Sequence, residues 1–242
     1  TSNREQDRAG VHRFETYVAN RVVFVEVEPN VDEWASGAIN GFPIPEPDVD
    51  YPKLREKINK AVALGIPDEL IAYVKWGKQV VDFSTETRAF LSPRSIETLG
   101  RFIRALDAVG LDGELLQEVA TGTVGEAHAV KFAAFHKLRA ELPDTDAILR
   151  GEDVPLSPKS EVLFILATTI MRAAKKEHCE AVAKLIDRFA KTKTKDGILI
   201  GVEVSAYLFG ECLRGAAKEL RNVRSEPRMM TWLQEHGKYF TG

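Results

Sequence analysis

Two arginines and a scatter of histidines and cysteines are the residues with the most chemical reach in this sequence. Arg21 heads the β-branched stretch RVVFVEVE, and Arg94 stands in the first turn of the helix announced by SPRSIETLGRFI. A guanidinium held at such an edge can grip a phosphate bidentately, and its charge does not titrate away. Taken singly, each arginine also fits a surface salt bridge. His12, His128, His136, His178 and His236 form no H-E-x-x-H or other close ligand pair. His128 and His136 can share a helix face, but they stand about two turns apart, too far for one zinc. They read as helix surface or core residues, and no metal site is expected.

Other chemistry is missing from the motifs. A P-loop needs G-x-x-x-x-G-K-[ST], because consecutive backbone N–H groups cradle phosphate while the lysine reaches its outer oxygens. Trp76-Gly77-Lys78-Gln79 lacks the preceding glycine. Gly122-Thr123-Val124-Gly125 lacks the basic residue and reads as a helix–helix turn. No G-x-S-x-G elbow appears, and Cys179 and Cys212 sit in no nucleophile or zinc motif. A self-contained hydrolase is unsupported.

With 242 residues, 44% hydrophobic and 29% charged, the chain has the composition of a globular protein of one large or two smaller domains. Wholesale disorder is excluded. Two cysteines are too few for a disulfide scaffold, which favours a reducing, cytoplasmic setting. No run approaches the ~18 apolar residues of a membrane span, and TSNREQDRAG lacks the apolar core of a signal peptide. The first residue is Thr, not Met, and polar sequence leads almost at once into a strand-like stretch, as expected of a fragment.

Net charge is -3, which argues against a generally nucleic-acid-coating protein. The charge is uneven: residues 154–242 carry 15 Lys and Arg against 10 Asp and Glu, so the front of the chain is acidic and the tail basic. Such a split fits either two solvated surfaces or complementary subunits.

Helical periodicity dominates the elements that must position the arginines. Residues 21–28 are expected to form a strand whose partners lie upstream. Asp32 can cap a short helix ending at Gly41, followed by a proline-rich loop, FPIPEPDVDYP. Leu54, Ile58 and Val62 mark a helix closed by Gly65. Asp68 can cap another, with Leu70, Ile71, Val74 and Trp76 on its buried side. Ser92 as N-cap, Pro93 at the first helical position and Gly110 past the end delimit the clearest helix, with Ile96, Leu99, Phe102, Ile103 and Leu106 on one face. Helices follow over 113–121 and 125–141, the latter with Ala127, Val130, Ala134, Phe135 and Leu138 on one face. The tail predicts helices over 158–176, 180–191, 204–220 and 226–236.

In order, TSNREQDRAGVHRF, VANRVVFVEVEPNVDEW, FLSPRSIETLGRFI, TGTVGEAHAVKFAAF and LPDTDAIL resemble the C-terminal half of a MoxR-type AAA+ ATPase, over about residues 1–149. The helical tail is similar to the extension of some members. The resemblance implies a mainly α chain in three parts. Residues 1–30 would be the end of the αβα core, with sensor 1, the arginine finger and a core strand. Residues 31–150 would be a helical lid with sensor 2, and 151–242 a helical extension. It makes Asn3 the sensor-1 residue that places the attacking water, and Arg21 the finger reaching into a neighbour's site. Arg94 becomes the sensor-2 contact to nucleotide in its own subunit, with Arg8 and Arg13 in reserve for the finger.

The same resemblance implies ATP and Mg2+ as cofactors, a hexameric ring, and a protein client that is remodelled or receives a metal cofactor, often through a partner with a von Willebrand factor A domain. The P-loop and the acidic magnesium motif are absent from these 242 residues, so this chain alone is not expected to hydrolyse ATP. A helical interaction module without catalysis is the competing expectation. Nucleic-acid binding by the basic tail is disfavoured, since no helix-turn-helix or aromatic platform accompanies the charge.

Overall fold

Side-chain caps at Asn30, Asp50, Ser92 and Asp144 open four of the helices in the computed structural model, which describes residues 15–19, 21–25, 27, 30–42, 48–82, 89–111, 113–214 and 218–240. The chain is mainly α-helical, and among the described residues there is no strand or sheet, only isolated bridges at Asp82–Leu91 and Lys193–Leu199. It divides into two compact units, Thr1–Pro67 with Val80–Ala133, and Asp68–Gln79 with Ala134–Gly242.

In the first unit, α1 (Thr16–Ala19) is a single turn. The described part of 21–28 is loop, not the expected strand: a lone segment cannot satisfy its own ladder, and Phe24 N–H donates to the Gly122 carbonyl at 2.9 Å. Helix α2 (Val31–Asn40) is capped by Asn30, whose side chain accepts from the Asp32 and Glu33 amides, so Asp32 lies inside the first turn and is not the cap. Helix α3 (Tyr51–Val62) starts at an Asp50 cap and packs on α5 (Pro93–Val109). Ser92 caps α5 as expected, and Gly110, at φ 74°, ends it in the left-handed conformation that suits glycine. Ile96, Leu99, Ile103 and Leu106 are buried, and each such side chain contributes about 1.5–3 kcal/mol relative to exposure.

Helix α6 (Glu114–Val124) packs against α5. Gly122 lies within α6, so the expected turn contracts to Gly125 alone. The close approach of Phe24 requires glycine at 122, because a Cβ there would overlap the Phe24 carbonyl. Helix α7 (Glu126–Lys137) buries His128, Ala129, Phe132, Phe135 and His136, while Ala127, Val130 and Ala134 are exposed. The expected face is thus rotated. Two phenylalanines offer more apolar area than the small residues, and both imidazoles find acidic partners that permit their burial.

The second unit contains α4 (Asp68–Gly77), with Leu70, Ala72 and Tyr73 buried; Trp76 is exposed, contrary to expectation. It packs against α9 (Ser160–Ala173), whose residues 162–168 and Ile170 are all covered. A helix apolar on nearly every side belongs at the centre of its unit. Helix α9 also packs with a 3-10 turn (Leu138–Glu141), α8 (Thr145–Leu149) and α11 (Val202–Arg214); α10 (Cys179–Ala190) packs on α11, and a 3-10 helix (Lys218–Ser225) and α12 (Pro227–His236) pack on α10. The helix expected over 204–220 stops at Arg214. Phe209 meets Trp232 edge-on at 5.3 Å between ring centres.

Candidate functional site

Arg94 is the second residue of α5, exposed and pointed to by a rigid start. The Ser95 amide donates to Ser92 Oγ at 3.1 Å, the Ser92 amide donates to Ser95 Oγ at 2.8 Å, and Ser95 Oγ donates to the Phe90 carbonyl at 2.9 Å. Both serines are buried. No acid occupies the first turn, and Glu97 is engaged by Arg101 at 2.5 Å. A cation at the positive end of a helix is unfavourable by about 0.3–1 kcal/mol, and an anion placed there is favourable. Among the described residues Arg94 forms no ion pair, so this helix start is suited to an anion from outside.

The segment leading into the cap is itself pinned. Asp82 N–H donates to the Leu91 carbonyl at 2.9 Å, and Asp82 Oδ2 lies 3.0 Å from Nε2 of the buried His128. This pair joins α7 to the bridge that precedes Ser92. His128 thus acts as a core residue with an acidic partner. The signal was present only as a polar residue on a helix that also carries large aromatics.

Arg21 is exposed in the turn after α1, where its amide donates to the Val18 carbonyl at 2.9 Å. The Phe24–Gly122 bond three residues later ties this turn to α6. Arg21 and Arg94 both belong to the first unit. Asn3, Arg8 and Arg13 lie outside the described residues.

A buried carboxylate in the second unit went unnoticed in the sequence. Glu69, 8% exposed, lies 3.2 Å from His136 Nδ1 and 3.5 Å from Arg139 Nη1. Burial pushes its carboxyl up, but the close approach of His136 Nδ1, the Glu69 backbone amide and the charges of His136 and Arg139 outweigh burial and hold it below its ordinary value. A carboxylate held ionised this way is a weak base near neutral pH. Its contacts fasten α4 to the end of α7.

The thiols are also shielded. Burial, with smaller help from Cys179 and Glu211, pushes Cys212 up to about 12. Burial and the Glu226 charge raise Cys179 as well. Both cysteines are therefore expected to react with a charged thiol reagent at pH 8 far more slowly than those of the urea-unfolded chain. Equal rates in the two states would contradict this placement.

Among the described residues no group of three His, Cys, Asp or Glu could hold a metal ion, and no helix is long and apolar enough to cross a membrane. Comparison with protein-family models, curated proteins and solved structures returns no match.

Proposed function

We propose that this chain is the sensor-1-onward part of a MoxR-like AAA+ ATPase that couples ATP binding and hydrolysis to remodelling, or metal-cofactor maturation, of a protein client. Residues 1–30 are the end of the αβα core, 31–150 the lid and 151–242 the helical extension. The ordered motifs support this reading, and one structural observation carries it. Arg94, the sensor-2 candidate, stands exposed at the start of a capped 17-residue helix with no acidic neighbour in its first turn.

That arrangement suits a nucleotide phosphate. The described residues supply no cage for Mg2+, and the family resemblance assigns the metal to an acidic motif upstream. ATP would supply the transferable phosphoryl group. Arg94 would bind and orient the phosphates in its own subunit, while Arg21 would stabilise charge in a neighbour's site. A hexameric ring and a client with a von Willebrand factor A domain belong to the same proposal.

The test is nucleotide affinity of the full-length protein. One lost charge-assisted contact is worth about 1.5–3 kcal/mol, so Arg94→Ala should weaken ATP binding by roughly 10- to 100-fold. Unchanged affinity and turnover would remove the sensor-2 role.

A second reading, a helical interaction module without catalysis, is favoured by α2. That helix has no buried residue and exposes Val31, Trp34 and Ile39. A full-length protein that binds no nucleotide would support it.

A further inference from the structure

The 3-10 helix Lys218–Ser225 has three residues per turn, so side chains three apart are eclipsed on one edge. Its sequence, KELRNVRS, sorts cleanly by that period. Leu220 and Val223 form one edge, both 0% exposed. Lys218, Arg221 and Arg224 form the second, all exposed. Glu219, Asn222 and Ser225 form the third.

The apolar edge lies on α10 and α11, and Cys179 Sγ donates to the Glu219 carbonyl at 3.9 Å. This anchorage leaves the basic edge facing outward. Several other cations of the unit are matched by acids: Arg214 by Glu211 at 2.6 Å, Lys191 by Asp187 at 2.8 Å, and Lys184 by Asp153 at 3.2 Å. Lys218, Arg221 and Arg224 form no such pair among the described residues.

We propose that this basic edge docks an acidic segment of a partner protein. A rise of about 2.0 Å per residue places the three cations about 6 Å apart along the helix. Carboxylates recur at nearly that interval on alternate residues of an extended strand, about 6.7 Å, or at i and i+4 of an α-helix, about 6 Å. Arginine forks suit bidentate carboxylate pairing. A nucleic-acid strand is the poorer fit, because strand binders add aromatic platforms. Trp232, the tryptophan of this region, is instead 1% exposed and packed on Phe209. The docking surface stands independently of the ATPase reading.

The experiment measures binding of the 242-residue chain to a fluorescein-labelled peptide of alternating Asp and Ser, by anisotropy at low salt. An Asn-Ser peptide and a single-stranded oligonucleotide serve as comparisons. Arg221→Glu with Arg224→Glu should weaken acidic-peptide binding by about tenfold or more, since like charges now face each other. Arg221→Lys with Arg224→Lys should weaken binding clearly less than the charge reversal does, because the charge is kept while the bidentate fork is lost. Lys193→Glu with Lys195→Glu, exposed and in the same unit, should also stay within about threefold. Melting curves establish that each variant folds. Failure of the wild-type chain to bind the acidic peptide overturns the proposal. So does equal loss in the two charge-reversal variants, or tighter binding of the oligonucleotide through Arg221 and Arg224.

Discussion

On the proposed ATPase reading, Arg21→Ala in the full-length protein is expected to lower ATP turnover by about 10³-fold or more while leaving ATP binding in place. Phosphoryl transfer depends mainly on positioning and on charge stabilisation, and a finger supplied across a subunit boundary acts on the transition state more than on the bound ground state. Arg21 stands in a short exposed turn whose backbone is held by Val18 and, three residues on, by the Phe24–Gly122 bond. Steady-state turnover together with equilibrium nucleotide binding makes the check. Normal turnover would remove Arg21 from the role, and loss in Arg8→Ala or Arg13→Ala instead would transfer it.

Glu69→Gln should destabilise the second unit by about 2–4 kcal/mol at neutral pH, because it breaks a buried ion pair and leaves His136 and Arg139 facing a neutral amide. Arg139 is 35% exposed, which places its share at the low end. The cost should depend on pH in one direction. Glu69 is held below its ordinary value of 4.5 in the fold, so its contribution is complete above that value and disappears as pH falls through the lowered one. Urea unfolding of both forms from pH 7 to pH 3 should therefore show a gap that closes in acid. A gap that widened in acid would contradict the pairing.

The helices were legible wherever punctuation was local. Ser92, Pro93 and Gly110 delimit α5 because capping, a fixed proline φ and a left-handed glycine act within a few residues. Residues 21–28 misled, because β-branched composition cannot supply a pairing partner. The α7 face misled because a histidine counts as polar in a periodicity count, while Asp82 and Glu69, 46 and 67 residues away in sequence, make His128 and His136 buriable. Arg94 was legible as an exposed first-turn residue. The Asp82–His128 pair behind it was not, since it joins segments that only the fold brings together. The basic edge of residues 218–225 was hidden for another reason: a period of three is visible only once the segment is known not to be an α-helix.

Intact mass and N-terminal sequence of the protein isolated from its native source test the ATPase assignment most directly. A MoxR-like ATPase must carry residues ahead of Thr1 that include a P-loop, followed by a strand ending in acidic residues that bind magnesium. A native chain that starts at Thr1, or at a Met immediately before it, would contradict the assignment and leave the helical interaction module in its place.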